Sequence, residues 1–491
     1  MLSYMVLTAT LAFHHEPWRD EVDSWLMARD ASLATIVRIS PDMGTPVGWY
    51  FLLKPFASIG LPFATQQALT LVLIWTAVAI LIFQSPFSIL VSTCWCLSWY
   101  LSFEYSVMSR NYTLGVLGVF ALLGSYSASC SSRLKAFQWW VSWPLVTFSS
   151  VHFLALTPGL MALSYSLDRR LTPKQERMLL KYSWPLLLTS LCIWILWPTG
   201  HGQMGSVFSR TSRVVNFQRA ISLGVFPFLS VEGVSRFIAP VFVCCWLLVC
   251  RCGIKETFAL TLMLIGVNSI FVFSYFLGAW RHCGLNWILL IGIAWVGLSK
   301  SRLDGWSFAR KQTFVITTAL IVVTLINIRG STTRWREEIR RPFTDAGATA
   351  RYLTESGLIQ EPIACRVPPL CSSILGYIPT PVRFWYPGID QWGTHMFWDR
   401  AYAISTSLPA DKALVRARNF LHNVQGHGSF LFLSHEPMPN PGALGLTKIW
   451  ESPQTAWLIR DERFSIYRWQ ANEPLATPLP TPLPQGSAET R

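Results

Sequence analysis

Eleven apolar runs divide this sequence, and they constrain its fold more than any other feature. They are Met1–Phe13, Gln67–Phe83, Phe87–Phe103, Tyr112–Tyr126, Trp139–Val151, Phe153–Leu167, Tyr182–Trp197, Phe237–Cys250, Phe258–Leu277, Leu285–Leu298 and Phe314–Ile328. Crossing a bilayer takes roughly 20 apolar residues, within a range of about 17–25. Several runs are shorter, and Trp139–Val151 and Phe153–Leu167 are half-length segments that flank His152. Counting each run as one span gives an α-helical polytopic membrane protein of about 11 spans. Charged residues are 13% of the chain, against about 25% in soluble proteins, which favours lipid over a soluble core. Met1–Phe13 is followed by no small-residue cleavage site, so it reads as a truncated first span rather than a removed signal peptide.

The net charge of +14 would suit nucleic acid if the cations formed one patch. They do not. Arg133 and Lys135, then Arg169 through Lys181, then Arg251 and Lys255, then Lys300 through Lys311 fall in alternate loops between runs. The positive-inside rule places those loops in the cytoplasm. The Asp20 loop, Glu104–Arg110, Pro198–Arg236, Gly278–Gly284 and everything after Arg329 then face outward. Nucleic acid is not the expected partner. The eleven cysteines lie mostly in apolar runs and show no metal-ligand spacing. Cys365 and Cys371 lie on the outward side, where a disulfide is permitted but not demanded.

The chain divides into a membrane region, residues 1–329, an outward segment, 330–470, and a Pro-rich tail, 471–491, with no core to bury. The middle segment mixes patterns. Arg340–Ser356 and Ala410–His422 read as helices, and Ile363–Val367 and Phe430–Ser434 as strands. Trp457–Arg460 and Phe464–Trp469 read as a hairpin around Asp461 and Glu462. A small α/β domain on the outer face is expected.

The candidate chemistry sits in the outward loops. Asp20, Glu21 and Asp23 follow the first run directly, at the water interface. On a helix Asp20 and Asp23 share a face and Glu21 points about 100° away. A carboxylate near a low-dielectric surface can act as a general base, but an acidic first turn also stabilises the helix dipole, and spacing alone leaves both readings standing. Gly44-Thr45-Pro46 makes a bend that leads into Trp49, Tyr50 and Phe51, an interfacial aromatic cluster. Glu104 and Arg110 could pair with each other or meet Asp20. His152 taken alone suits a satisfied core histidine. Arg281 and His282 close a span at the outer face, and Arg210, Arg213, Arg219 and Arg236 fill the long outward loop. Such arginines suit a phosphate or the membrane's own headgroups equally.

Taken in order, these motifs resemble the GT-C superfamily of membrane glycosyltransferases. The bacterial members that use polyprenyl-phosphate sugars, of the lipid A aminoarabinose transferase and protein O-mannosyltransferase types, are the nearest. Their Asp-Glu pair in the first outward loop corresponds to Asp20-Glu21. Their Gly/His-Pro bend with aromatic residues corresponds to Gly44-Thr45-Pro46 and Trp49-Tyr50. Their Arg-x-Tyr-x-Leu corresponds to Arg110-Asn111-Tyr112-Thr113-Leu114. Thr45 stands where many relatives have His, so no role of that imidazole carries over.

The resemblance implies a multi-pass inner-membrane enzyme with its outward domain in the periplasm. It implies inverting displacement of a sugar from a polyprenyl-phosphate donor onto an acceptor hydroxyl of a glycan, lipid or protein. Asp20 with Glu21 would be catalytic. Glu104, Arg110, Tyr112 and His152 would bind substrate, and Arg281 and His282 the lipid phosphate. The chemistry requires no cofactor or metal, although some members of the superfamily use a divalent metal.

A polytopic transporter or lipid flippase is the alternative. That class places ionisable residues at mid-membrane depth and pairs broken helices, whereas the charges here lie mostly at run ends. A scaffold for the outward domain would need one span, not eleven.

Overall fold

Short breaks at Pro17, Ala31-Ser32 and Gly44–Val47 cut the region after the first run into small helices rather than one span. The computed structural model describes residues 1–127, 130–171, 175–197, 213–229, 232–250, 252–273, 280–303, 309–378, 382–398 and 408–471; the tail 472–491 expected to be polyproline-like lies outside them. The first helices are α1 (Leu2–His14), α2 (Arg19–Asp30), α3 (Leu33–Met43) and α4 (Gly48–Ser58). Trp18 N–H donates to Glu21 Oε2 at 3.4 Å to cap the first turn of α2. Gly44, at φ 60°, ends α3 in the left-handed conformation that glycine supplies at least cost.

Then follow α5 (Ala64–Gln84) and α6 (Ile89–Cys96), a π-helical turn over Tyr100–Glu104, and α7 (Tyr112–Gly124) and α8 (Ser132–Thr147). The short α9 (Val151–Leu154), α10 (Thr157–Leu171), α11 (Gln175–Ile195), α12 (Arg213–Val225), α13 (Glu232–Cys250) and α14 (Ile254–Phe273) continue the bundle. It closes with α15 (Trp280–Cys283), α16 (Leu285–Leu303) and α17 (Ala309–Arg340). Every residue of α7 is buried. Its Gly118 lies so close to α8 that a Cβ would meet Val146 Cγ2 at 2.7 Å and Ser142 O at 2.9 Å; small residues let membrane helices approach this way.

Among the described residues, Ala64–Gln84, Trp280–Lys300 and Lys311–Arg340 are long and apolar enough to cross a membrane. The second of these is buried at the centre of the bundle, whereas the other two turn apolar side chains outward. Trp194, Phe237, Leu248, Phe314 and Leu325 are likewise exposed, as lipid-facing residues should be. The run Phe87–Phe103, expected as one span, is broken: α6 stops at Cys96 and the π turn carries Glu104 inward. At 1.5 Å per residue α17 is about 48 Å long, well beyond the roughly 30 Å hydrocarbon core. It therefore runs past Arg329, where the sequence placed the end of the membrane region; Gly330 is tolerated within it, packed against Phe228, and no proline occurs before Pro342.

The C-terminal segment forms a six-stranded mixed sheet in the order β3-β2-β1-β4-β6-β5. Its strands are β1 (Ile363–Cys365), β2 (Phe384–Tyr386), β3 (Gln391–Gly393), β4 (Ser429–Ser434), β5 (Leu446–Glu451) and β6 (Ser465–Gln470). β1 is parallel to β2 and β4, and the other pairs are antiparallel. Side chains alternate between the faces, as the pleat requires. Ile363, Phe384, Leu431 and Ile466 pack under α18 (Ala346–Glu355) and α19 (Pro368–Leu375). Ala364, Trp385, Phe432 and Tyr467 pack under α20 (Ala410–Ala417). Val22 and Leu26 of α2 belong to the first of these cores, so α2 is held between the bundle and the sheet.

Three details correct the sequence reading. The first helix of this segment is α18, beginning at Ala346 rather than Arg340, because Pro342 interrupts it. The hairpin pairs β5 with β6. Trp457–Arg460 is not its partner; it runs beside the end of α17, with Trp457 N–H on Pro342 O (3.0 Å) and Ile459 N–H on Phe343 O (3.1 Å). Burying the Trp457 ring with its Nε1–H on Glu338 Oε2 (2.9 Å) outweighs strand pairing there. Cys365 and Cys371, left open by their spacing, are joined as a disulfide.

Candidate active site

Asp20 opens α2 on the side that faces the bundle. Arg110, from the loop before α7, reaches its Oδ2 with Nη1 at 3.0 Å, and Arg281 of α15 reaches the same oxygen with Nη2 at 2.9 Å. Arg19 Nε lies 4.0 Å from Oδ1. Burial by itself would raise the pKa of Asp20, but Arg110, Arg281 and Arg19 together outweigh it and hold the carboxyl below its ordinary value. The Trp18 ring carries Arg19 at 5.2 Å and Arg281 at 5.1 Å from its centroid, distances at which a cation is attracted to the ring.

The other two carboxylates of α2 point elsewhere. Glu21 is fully buried and accepts from His15 Nε2 at 2.8 Å and from Ser109 N–H at 2.5 Å. His15 Nδ1 in turn lies 2.6 Å from Glu338 Oε1. Burial would discharge this imidazole, but Glu21 and Glu338 together raise its pKa to about 10. Asp23 accepts from Met396 N–H at 2.7 Å and Trp398 Nε1 at 3.1 Å, and burial pushes its carboxyl up to about 7. The helical geometry therefore separates Asp20 from Glu21 as their spacing requires, while Asp23 bonds the C-terminal segment rather than sharing Asp20's partners.

The N-terminus of α2 is also tied to the sheet. Arg19 Nη1 meets Asp461 Oδ2 at 2.7 Å and Arg19 N–H donates to Glu462 Oε1 at 2.9 Å. Thr344 Oγ1 donates to Glu462 Oε2 at 2.6 Å. Burial raises the Glu462 pKa to about 8.

Beside Asp20 opens a cavity of about 680 Å³. Arg219, Arg236, Arg281 and Arg334 line it with Glu104, while Leu223, Phe226, Phe228 and Leu458 give it an apolar wall. Arg334 lies over the rings of Trp280 (5.1 Å) and Trp457 (5.2 Å). Glu104 Oε1 accepts from Trp99 Nε1 at 3.2 Å. On another side of Arg281, His152 and His282 stack with ring centroids 4.6 Å apart and planes 9° from parallel. Tyr112 lies 5.5 Å from His282. Asp20, Arg110, Arg281, Tyr112, His152, His282 and Glu104 thus gather in one place, and Glu21 is turned away from it. Among the described residues no three of His, Cys, Asp and Glu are placed to hold a metal ion.

No family model matches the chain, and no curated protein matches its sequence. Its fold is similar to that in a crystal structure of ArnT from Cupriavidus metallidurans bound to undecaprenyl phosphate. The TM-score is 0.54 at 12% identity, covering 95% of this chain and 96% of that one. This is a GT-C-like fold.

Within the GT-C-like fold, two sets of site residues were not read from the sequence. Arg334 was missed because the membrane region was ended at Arg329. His15, Glu338, Asp461 and Glu462 were missed because their partners are far away along the chain; a buried-charge signal such as His15 beside Glu16 gives no hint of Glu338. Arg219 and Arg236, part of the arginine-rich loop, do line the cavity. Arg210 and the side chain of Arg213 lie outside the described residues.

Proposed function

We propose that this chain is an integral membrane glycosyltransferase that moves a sugar from a polyprenyl-phosphate donor to an acceptor hydroxyl. The observation that carries the reading is the ion pair of Asp20 with Arg110 and Arg281 at the edge of an arginine-lined cavity with an apolar wall. A lipid phosphate has that dual character, an anion attached to a hydrocarbon chain. The similarity to a fold that holds undecaprenyl phosphate agrees with it.

In this reading the acceptor oxygen attacks the anomeric carbon while its proton passes to Asp20. The bond from that carbon to the phosphate oxygen breaks with both electrons, so the configuration inverts. Charge grows on the departing phosphate, and preorganised cations there are usually the largest catalytic contribution. Arg281, Arg219, Arg236 and Arg334 fill that part, with His282 alongside. Arg110, Tyr112, His152 and Glu104 orient sugar and acceptor. Glu21 acts indirectly, by fixing α2 through His15 and Ser109 N–H.

We further read residues 1–329 together with the rest of α17, to Arg340, as the transferase region with about 11 spans, the remainder to 470 as an outward α/β domain, and 471–491 as a tail. The enzyme would lie in the inner membrane with its α/β domain in the periplasm and act on a glycan, lipid or protein acceptor. The test is to offer purified protein a panel of polyprenyl-phosphate sugars with candidate acceptors. Free polyprenyl phosphate and the product's anomeric configuration are then measured. Release with inversion supports the reading. Retention would remove direct displacement, and movement of lipid across vesicles without release would favour a flippase.

A further inference from the structure

Arg281 faces two places at once. One is Asp20 Oδ2, at 2.9 Å from Nη2; the other is the cavity, which Arg281 lines. Of the three arginines facing Asp20, it alone does both. Arg19 is engaged by Asp461 at 2.7 Å, and neither Arg19 nor Arg110 lines the cavity. Among the described residues the buried Nε of Arg281 has no hydrogen-bond partner. The guanidinium also meets Tyr112, and a guanidinium binds phosphate best through two parallel donors.

We propose that Arg281 is exchanged between Asp20 and the donor's phosphate, so that Asp20 becomes an effective base only when a lipid phosphate occupies the cavity. This rests on the glycosyl-transfer reading above. The charges move in step during the reaction. The donor is a phosphodiester with one negative charge, and the leaving polyprenyl phosphate gains a second. Over the same step Asp20 takes the acceptor's proton and loses its charge. The attraction of Arg281 to Asp20 therefore falls as its attraction to the phosphate rises. One guanidinium couples proton removal to leaving-group departure, and without donor the base stays clamped.

The remaining groups around Asp20 do not supply this coupling. Arg110 stays at 3.0 Å and Arg19 near 4.0 Å, and they keep the site cationic. Asp23 is held by Met396 and Trp398 of the C-terminal segment, and Tyr50 of α4 neighbours Asp23, Arg110 and Asp20 without lining the cavity. Tyr112 neighbours both Asp20 and Arg281.

The test is the titration of Asp20 by infrared difference spectroscopy on the full chain in nanodiscs, with the carboxyl band assigned by Asp20→Asn. An arginine at ion-pair distance lowers a carboxylate's pKa by about 1–3. Undecaprenyl phosphate should thus raise the proton affinity of Asp20 about tenfold or more in wild type. In Arg281→Gln the affinity is already raised without ligand and responds little further; Arg281→Met, also uncharged and of similar length, serves if the Gln variant does not fold. An equal rise in wild type and variant would mean plain repulsion by the phosphate and overturns the exchange. No change in wild type despite measured binding overturns it too. If the same nanodiscs bind no polyprenyl phosphate, the glycosyl-transfer reading falls with it.

Discussion

Asp20 and Arg281 are 261 residues apart in the chain, yet Oδ2 and Nη2 lie 2.9 Å from each other. The pair joins the first turn of α2 to the N-terminal end of the central helix pair α15–α16. Any movement of α2 relative to the bundle must break it or carry both partners along.

If the cavity arginines face a donor phosphate as proposed, removing one weakens donor binding. A hydrogen bond to a charged group is worth about 1.5–3 kcal/mol, so Arg219→Gln or Arg334→Gln should raise the Kd for polyprenyl phosphate about tenfold or more. Titration of the lipid into nanodisc-embedded protein checks this. Unchanged Kd in both variants would place the phosphate elsewhere.

His15 fastens α2 to α17. Its removal leaves Glu21 and Glu338 buried without a cation, which costs about 3–5 kcal/mol for a broken buried pair; His15→Ala should lower Tm strongly. The pH dependence has a defined sign. The folded pKa is raised from 6.5 to about 10, so this stabilisation is complete below pH 6.5 and is lost as pH rises through 10. Thermal unfolding in wild type and variant should show a steeper fall in wild type between pH 8 and 10, above the range in which Glu462 contributes in both.

Glu462 behaves in the opposite chemical sense with the same slope. Its carboxyl is raised from 4.5 to about 8, so the native state holds the proton more tightly and stability falls between those pH values. Glu462→Gln retains an acceptor for Arg19 N–H and should flatten that fall, giving a higher Tm than wild type at pH 8. An equal or lower Tm would show that the ionised carboxylate is needed for Arg19.

Packing of the bundle is tested at Gly118. A side chain there must displace Val146 or the backbone of Ser142, and overpacking costs about 1–3 kcal/mol. Gly118→Leu should reduce Tm while leaving His15-linked pH dependence intact.

The sequence carried the helical membrane character and the Asp20 neighbourhood because both rest on local patterns, apolar runs and charges beside them. The C-terminal segment was legible where strands were long and apolar, as at β4, and where a helix was amphipathic, as at α20. It failed at Trp457, whose burial depends on Glu338 and Pro342 from another element. The same reason hid the His15–Glu338 link. Run length misled at Phe87–Phe103, where the π turn bends the chain to bring Glu104 inward, and at Arg329, where polar residues continue the helix. The motif resemblance read in the sequence did not foretell that Asp20 would meet both Arg110 and Arg281 at one oxygen.

The most direct measurement compares wild type with Asp20→Asn for release of polyprenyl phosphate from a labelled donor, with donor binding measured on both. The account predicts release by wild type and a fall of about a hundredfold to ten-thousandfold in the variant, the usual contribution of a positioned base, with donor still bound. Equal release by both proteins would contradict Asp20 as the base. Release by neither, across all donors that bind, would contradict glycosyl transfer itself.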